Sequence, residues 1–196
     1  MKKIGITGGI GSGKTTVCEI FKLFGISVFH ADEEARDLQN TDLSIRTLLI
    51  ERFGNFIYSP DGILDRKTMA SIIFKDQKAL AAVNAIIHPA VRQSFLKWTD
   101  NHQDEPYILY EAAILLESGS AADFDRTILI LADENIRIKR VIRRDNAPEK
   151  LVQQRIANQM PDIQKIKLAD YILENNNENL LIPQILELDK LLRAEN

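Results

Sequence analysis

Residues 8–15 read Gly8-Gly9-Ile10-Gly11-Ser12-Gly13-Lys14-Thr15, a complete phosphate-binding loop set directly behind an apolar run. A loop of this kind dictates its surroundings. It needs a strand before it and a helix after it, because the glycines turn backbone N–H groups onto phosphates and the helix amino end adds its own unpaired N–H groups. Both flanks comply. Lys3-Ile4-Gly5-Ile6-Thr7 reads as a short buried strand, and Thr15 to Phe24 reads as a helix carrying Val17, Ile20, Phe21 and Phe24 on one side. Gly9, Gly11, Ser12, Gly13, Lys14, Thr15 and Thr16 are therefore the candidate nucleotide contacts. Lys14 has the reach to meet the outer phosphates, and the Thr15 hydroxyl is a candidate Mg²⁺ ligand.

The chain has the length of one α/β domain with room for an inserted subdomain, 196 residues. A net charge of −3 gives no global attraction to nucleic acid. No long uncharged apolar run suggests a membrane span, and the amino terminus opens as strand and loop rather than as a signal peptide, so a cytoplasmic location is expected. The single cysteine, Cys18, falls on the helix after the loop and reads as a buried, inert thiol. Oligomeric state is left open by these features.

Strand-like runs recur at Ile4–Thr7, Ser27–Phe29, Tyr107–Tyr110, Arg126–Leu131 and Tyr171–Leu173, with helical stretches between them. That alternation predicts a parallel sheet with helices on both faces. Gly25 is placed to cap the first helix, and Leu180 to Arg193 carries Leu181, Ile185, Leu188 and Leu192 at helical spacing for packing on the sheet. The interval between the second and third runs is too long for one crossover helix. It holds helical segments at Thr41–Phe53, Arg66–Phe74 and Gln77–Trp98, broken by Ser59-Pro60-Asp61-Gly62, and reads as an insertion that builds a second substrate's pocket or as extra helices closing the core.

The stretch 135–158 contains Arg137, Arg140, Arg143, Arg144 and Arg155. The spacing of Arg137, Arg140 and Arg144 predicts one shared helix face. It reads either as a solvated basic face or as a mobile lid that closes arginines over a triphosphate. Open α/β sheets place ligands at the carboxyl ends of their strands. Asp32 follows the second strand there and could orient or deprotonate an attacking hydroxyl; with Glu33 it could equally favour the start of the next helix. Glu111 ends the third strand, where it would hold Mg²⁺ through water or pair with an arginine. Within Asn84-Ala85-Ile86-Ile87-His88-Pro89 the proline is expected to end or kink its helix and leave His88 at the break.

Taken in order, these motifs resemble the dephospho-coenzyme A kinase family over nearly the full chain. The resemblance runs through Ile6–Val17, Ala31-Asp32-Glu33-Glu34-Ala35-Arg36, Asp61-Gly62-Ile63-Leu64-Asp65-Arg66, Asn84–Val91 and Leu115-Leu116-Glu117-Ser118-Gly119. It continues through Arg143-Arg144-Asp145, Arg155-Ile156, Gln159 and Ala169-Asp170-Tyr171-Ile172. The phosphate loop alone is shared by many kinases; its combination with the Asp32–Arg36 and His88-Pro89 segments is far more specific. The resemblance implies Asp32 as catalytic base, Lys14 and its loop on ATP, and Arg36 and His88 near dephospho-coenzyme A. It also implies Arg140 and Arg144 in a lid and Asn175 near the adenine. Ala113 stands where the family usually has proline, Arg137 replaces a frequent glutamine, and His30 a frequent acidic residue.

The expected architecture is therefore a single P-loop kinase domain of the P-loop NTPase type, a parallel five-stranded sheet flanked by helices. Its nucleotide-binding core spans about 1–30, 104–134 and 168–196, its helical acceptor-binding insertion about 31–103 and its lid about 135–167. A kinase for another nucleoside or small metabolite, and a nucleotide-dependent switch, share the loop and lid logic. The chain lacks the Asn-Lys-x-Asp guanine signature of GTPase switches.

Overall fold

The computed structural model describes residues 1–73 and 76–194. They form two compact units, one of Met1–His30 together with the chain from His102 onward, the other of Ala31–Asn101. The first unit begins with β1 (Lys2–Gly8), α1 (Lys14–Leu23) and β2 (Val28–His30). The second consists of α2 (Ala31–Thr41), α3 (Leu43–Phe53), α4 (Arg66–Ile73) and α5 (Gln77–Thr99). The chain then returns to the first unit with β3 (Tyr107–Glu111), β4 (Arg126–Leu131), α6 (Glu134–Asp145), α7 (Glu149–Ala157), α8 (Asp162–Ile166), β5 (Tyr171–Glu174) and α9 (Leu181–Ala194).

The five strands form one sheet in the order β2-β3-β1-β4-β5, and every pairing is parallel. A parallel sheet must be covered on both faces, and β1 accordingly reads as continuous buried residues from Ile4 to Gly8 rather than as an alternation. Its central place sends the phosphate loop out of the middle of the sheet's carboxyl edge. Val17, Cys18 and Phe21 of α1 pack with Ile185, Leu188 and Leu192 of α9 over the inner side chains of β1, β3 and β4, with Ile20, Phe24 and Leu181 partly buried at the margin. Burying each large apolar side chain of α9 contributes about 1.5–3 kcal/mol. A polar anchor adds direction: Tyr107 donates its hydroxyl to Asp189 at 2.6 Å, and Arg193 reaches back to donate to the Phe24 carbonyl at 3.2 Å. Burial, then Asp189, pushes the Tyr107 phenol well above its usual range.

The end of α1 shows how local the sequence signals are. Gly25 takes φ +78° and donates to the Lys22 carbonyl, while Ile26 donates to that of Phe21. This is the paired hydrogen bonding of a left-handed helix stop, which glycine enters without steric cost. Cys18 is fully buried, as expected, and burial followed by the charge of Glu111 raises its thiol pKa to about 12.

Two expectations for the second unit are corrected. The segment expected as Thr41–Phe53 starts at Leu43, because Asp42 caps it by accepting the N–H groups of Ser44 and Ile45. Helix α5 runs unbroken through Pro89. An interior proline costs about 3 kcal/mol, but Ala79, Val83, Ile87, Val91, Phe95 and Thr99 form a buried stripe at four-residue spacing along α5, which offsets that cost by packing. His88 is thus an exposed mid-helix residue, not the residue at a break. The expected end of α4 at Phe74 lies outside the described residues.

Candidate active site

The phosphate loop is held open from behind. Gly11 and Gly13 take φ +79° and +97°, conformations that glycine adopts without strain. A side chain on Gly13 would also run into the Asn175 amide. Two of the loop's carbonyls are tied down by side chains: Arg140 Nη1 donates to the carbonyls of Gly11 and Ser12 at 3.4 and 3.3 Å, and Asn175 Nδ2 donates to that of Ser12 at 2.8 Å. Because the peptide is planar and trans, a pinned carbonyl turns the N–H of the next residue the opposite way. The Gly13 N–H is therefore fixed pointing away from Arg140 and Asn175. Arg140 is itself fixed by donating to the Asn175 carbonyl and to Asn177 Oδ1, both at 2.9 Å.

Below the loop, α1 begins with no side-chain cap and no acidic residue in its first turn. Its N–H groups and dipole are thus available to an anion. Lys14 Nζ rests on the Gly8 carbonyl at 2.9 Å, and Thr15 and Thr16 are exposed at the helix start. Glu111, at the carboxyl end of β3, is largely buried. Its Oε2 faces His30 Nδ1 at 3.3 Å from the register-paired position on β2, so the partner at its side is a histidine rather than the arginine considered from sequence. The oxygen donors of Thr15 and Glu111 suit Mg²⁺, which takes one or two protein ligands alongside substrate phosphates.

The arginine-rich run does not share one environment. Along α6 Arg137 is buried, Arg140 half-buried and Arg144 exposed. Arg144 pairs with its neighbour Asp145 at 2.7 Å, an exposed pair worth little. Ile138 and Val141 pack with Val152 of α7 and with Ile10 of the loop, so α6 is wedged against the loop. Sequence reasoning assigned no role to Gln159, Asp162 or Lys165, although Gln159 was part of the resemblance. Gln159 Oε1 accepts the Ile10 N–H at 2.9 Å, Asp162 pairs with Arg137 at 3.0 Å, and Lys165 pairs with Glu117 at 2.8 Å.

In the second unit Asp32 is half-buried in the first turn of α2, with Glu33 and Glu34 beside it, where acidic groups oppose the helix dipole favourably. Arg36 lies one turn further on the same helix and is exposed. Helix α2 packs on α5, the helix of His88, and Ser94 of α5 donates to Glu34 at 2.5 Å.

A central parallel strand, a glycine loop with tied carbonyls and a helix opening beneath it define a P-loop NTPase-type α/β protein. The dephospho-CoA kinase family model matches residues 2–180. A dephospho-CoA kinase of Bacteroides fragilis is 40% identical over 186 residues, covering 95% of this chain and 90% of the relative. The crystal structure of TT1252 from Thermus thermophilus superposes with a TM-score of 0.82 at 31% identity, covering 99% of this chain and 97% of that one. The dephospho-CoA kinase of Campylobacter jejuni, at 22% identity, shares the fold with a TM-score of 0.72, covering 99% of this chain and 98% of that one. The chain belongs to the dephospho-CoA kinase family.

Proposed function

We propose that this chain transfers the γ-phosphoryl group of ATP to the ribose 3′-hydroxyl of dephospho-coenzyme A, giving ADP and coenzyme A, the last step of coenzyme A synthesis. The observation that carries this reading is the glycine loop at the start of α1 whose Gly11 and Ser12 carbonyls are tied down by Arg140 and Asn175. Such a loop presents fixed N–H donors where charge develops on the transferred group. Lys14 exchanges the Gly8 carbonyl for the outer phosphates when ATP binds. Thr15 and, through water, Glu111 would hold Mg²⁺, which neutralises phosphate charge and orients the transferring group. Arg144 closes over the triphosphate from the lid segment, and Asn175 adjoins the adenine. Asp32, two residues past β2, orients the attacking hydroxyl and takes its proton late in a loose transition state. Arg36 and His88, on the packed helices α2 and α5, hold the acceptor.

Among the described residues no helix is long and apolar enough to cross a membrane. We place the activity in the cytoplasm, with small-molecule substrates and no nucleic-acid partner. Lys14→Ala tests the loop assignment. ATP affinity is expected to fall at least about tenfold and kcat/KM by about 10²–10³, the range lost with one transition-state donor. Unaltered kinetics in that variant would contradict the assignment.

A further inference from the structure

Arg137 is an expensive residue where it stands. Its side chain is 5% exposed, its Nη1 donates to both oxygens of Asp162 at 3.1 and 3.0 Å, and its buried Nε has no hydrogen-bond partner among the described residues. A buried ion pair with an unsatisfied donor is a poor source of stability, and an apolar side chain there would cost less. The contacts it makes lie elsewhere. Its guanidinium occupies the space a Gly9 side chain would fill, and its backbone leaves no room for one on Gly11, where a Cβ would meet the Arg137 carbonyl at 2.6 Å. The residue between those two glycines, Ile10, gives its N–H to Gln159, three positions before Asp162.

We propose that Arg137 is a positioning residue for ATP, acting through a closed ring of contacts that runs from Arg137 to Asp162, back along the chain to Gln159, across to Ile10, and through Gly9 to the Arg137 guanidinium again. The ring sets the loop's shape before nucleotide arrives, so ATP binding does not have to order it. This rests on the reading of residues 8–15 as the ATP phosphate site. Arg140 and Asn175 hold the carbonyls of Gly11 and Ser12, and the ring adds its contacts at Gly9 and Ile10.

The test measures steady-state kinetics for both substrates and amide exchange of nucleotide-free protein in Arg137→Gln, Asp162→Asn, the double variant and Arg137→Lys. Each of the first two is expected to raise the KM for ATP about fivefold or more while that for dephospho-coenzyme A stays within about twofold. The double variant should add no more than about twofold to the worse single, as coupled residues do. Arg137→Lys, which keeps a cation beside Asp162, should recover most of the loss. Exchange in peptides covering residues 8–13 should quicken while that of β4 and β5 does not. Should Arg137→Gln fail to fold, Asp162→Asn, whose side chain is 35% exposed, carries the same prediction. An unchanged KM for ATP, or faster exchange throughout the sheet, would overturn the proposal. Lys14→Ala in the same assay separates the two readings: if it too leaves the KM for ATP unmoved, the fault lies with the loop assignment and not with Arg137.

Discussion

Replacing Asp32 with alanine is expected to lower kcat by about 10²–10⁴, the usual contribution of a positioned acid–base group, with ATP affinity left within about twofold. The split follows from where the residue stands in the chain. Asp32 opens α2 beyond the end of β2, whereas the ATP phosphates are assigned to the loop after β1. The carboxylate's interaction with the helix dipole is worth about 0.3–1 kcal/mol at such a position. Asp32→Asn keeps an oxygen that orients the hydroxyl but cannot take its proton, and its rate should fall between wild type and alanine. Wild-type turnover in Asp32→Ala would remove the residue from catalysis.

Glu117→Ala should be among the most destabilising single changes in the protein. Lys165 is fully buried, and its Nζ lies 2.8 Å from Glu117 Oε1, an ion contact without hydrogen-bond alignment, with the glutamate side chain only 18% exposed. Removing one member of a buried pair strands the other charge, at about 3–5 kcal/mol. At about 2–4 °C per kcal/mol for a chain of this size, the melting temperature should drop by roughly 6–20 °C. The double variant Glu117→Leu, Lys165→Met removes both charges and should regain most of the loss, since apolar replacement of a buried pair is often neutral or better. Thermal unfolding of the three proteins decides it, and a loss below about 1 kcal/mol in Glu117→Ala would contradict the account. The pair anchors α8, the helix that carries Asp162.

What the sequence made legible was local. The phosphate loop, the strand before it, the helix after it and the Gly25 stop each depend on residues within a few positions, and the structure reproduces them. The alternation of strand-like runs with helical stretches likewise implied a parallel sheet, and every pairing is parallel. Pro89 went the other way: the local rule ends a helix there, and a stripe of buried side chains along α5 overrides it. The arginine run shows the same limit. Spacing places Arg137, Arg140 and Arg144 on one face of α6, but depth is set by what meets that face. Gly9, which has no side chain, leaves room for the Arg137 guanidinium, and Asp162, 25 residues on, supplies its counter-charge. The His30–Glu111 contact comes from strand register across 81 residues, and the Gln159–Ile10 bond spans 149. Neither separation leaves a periodic trace in the chain.

The account's central claim is met most directly by incubating the protein with Mg·ATP, with and without dephospho-coenzyme A, while following ADP release and identifying the product by mass spectrometry. ADP should appear at a rate that depends on dephospho-coenzyme A, with coenzyme A formed in equal amount. ATP bound with no acceptor-dependent ADP, or transfer to a different acceptor only, would contradict it.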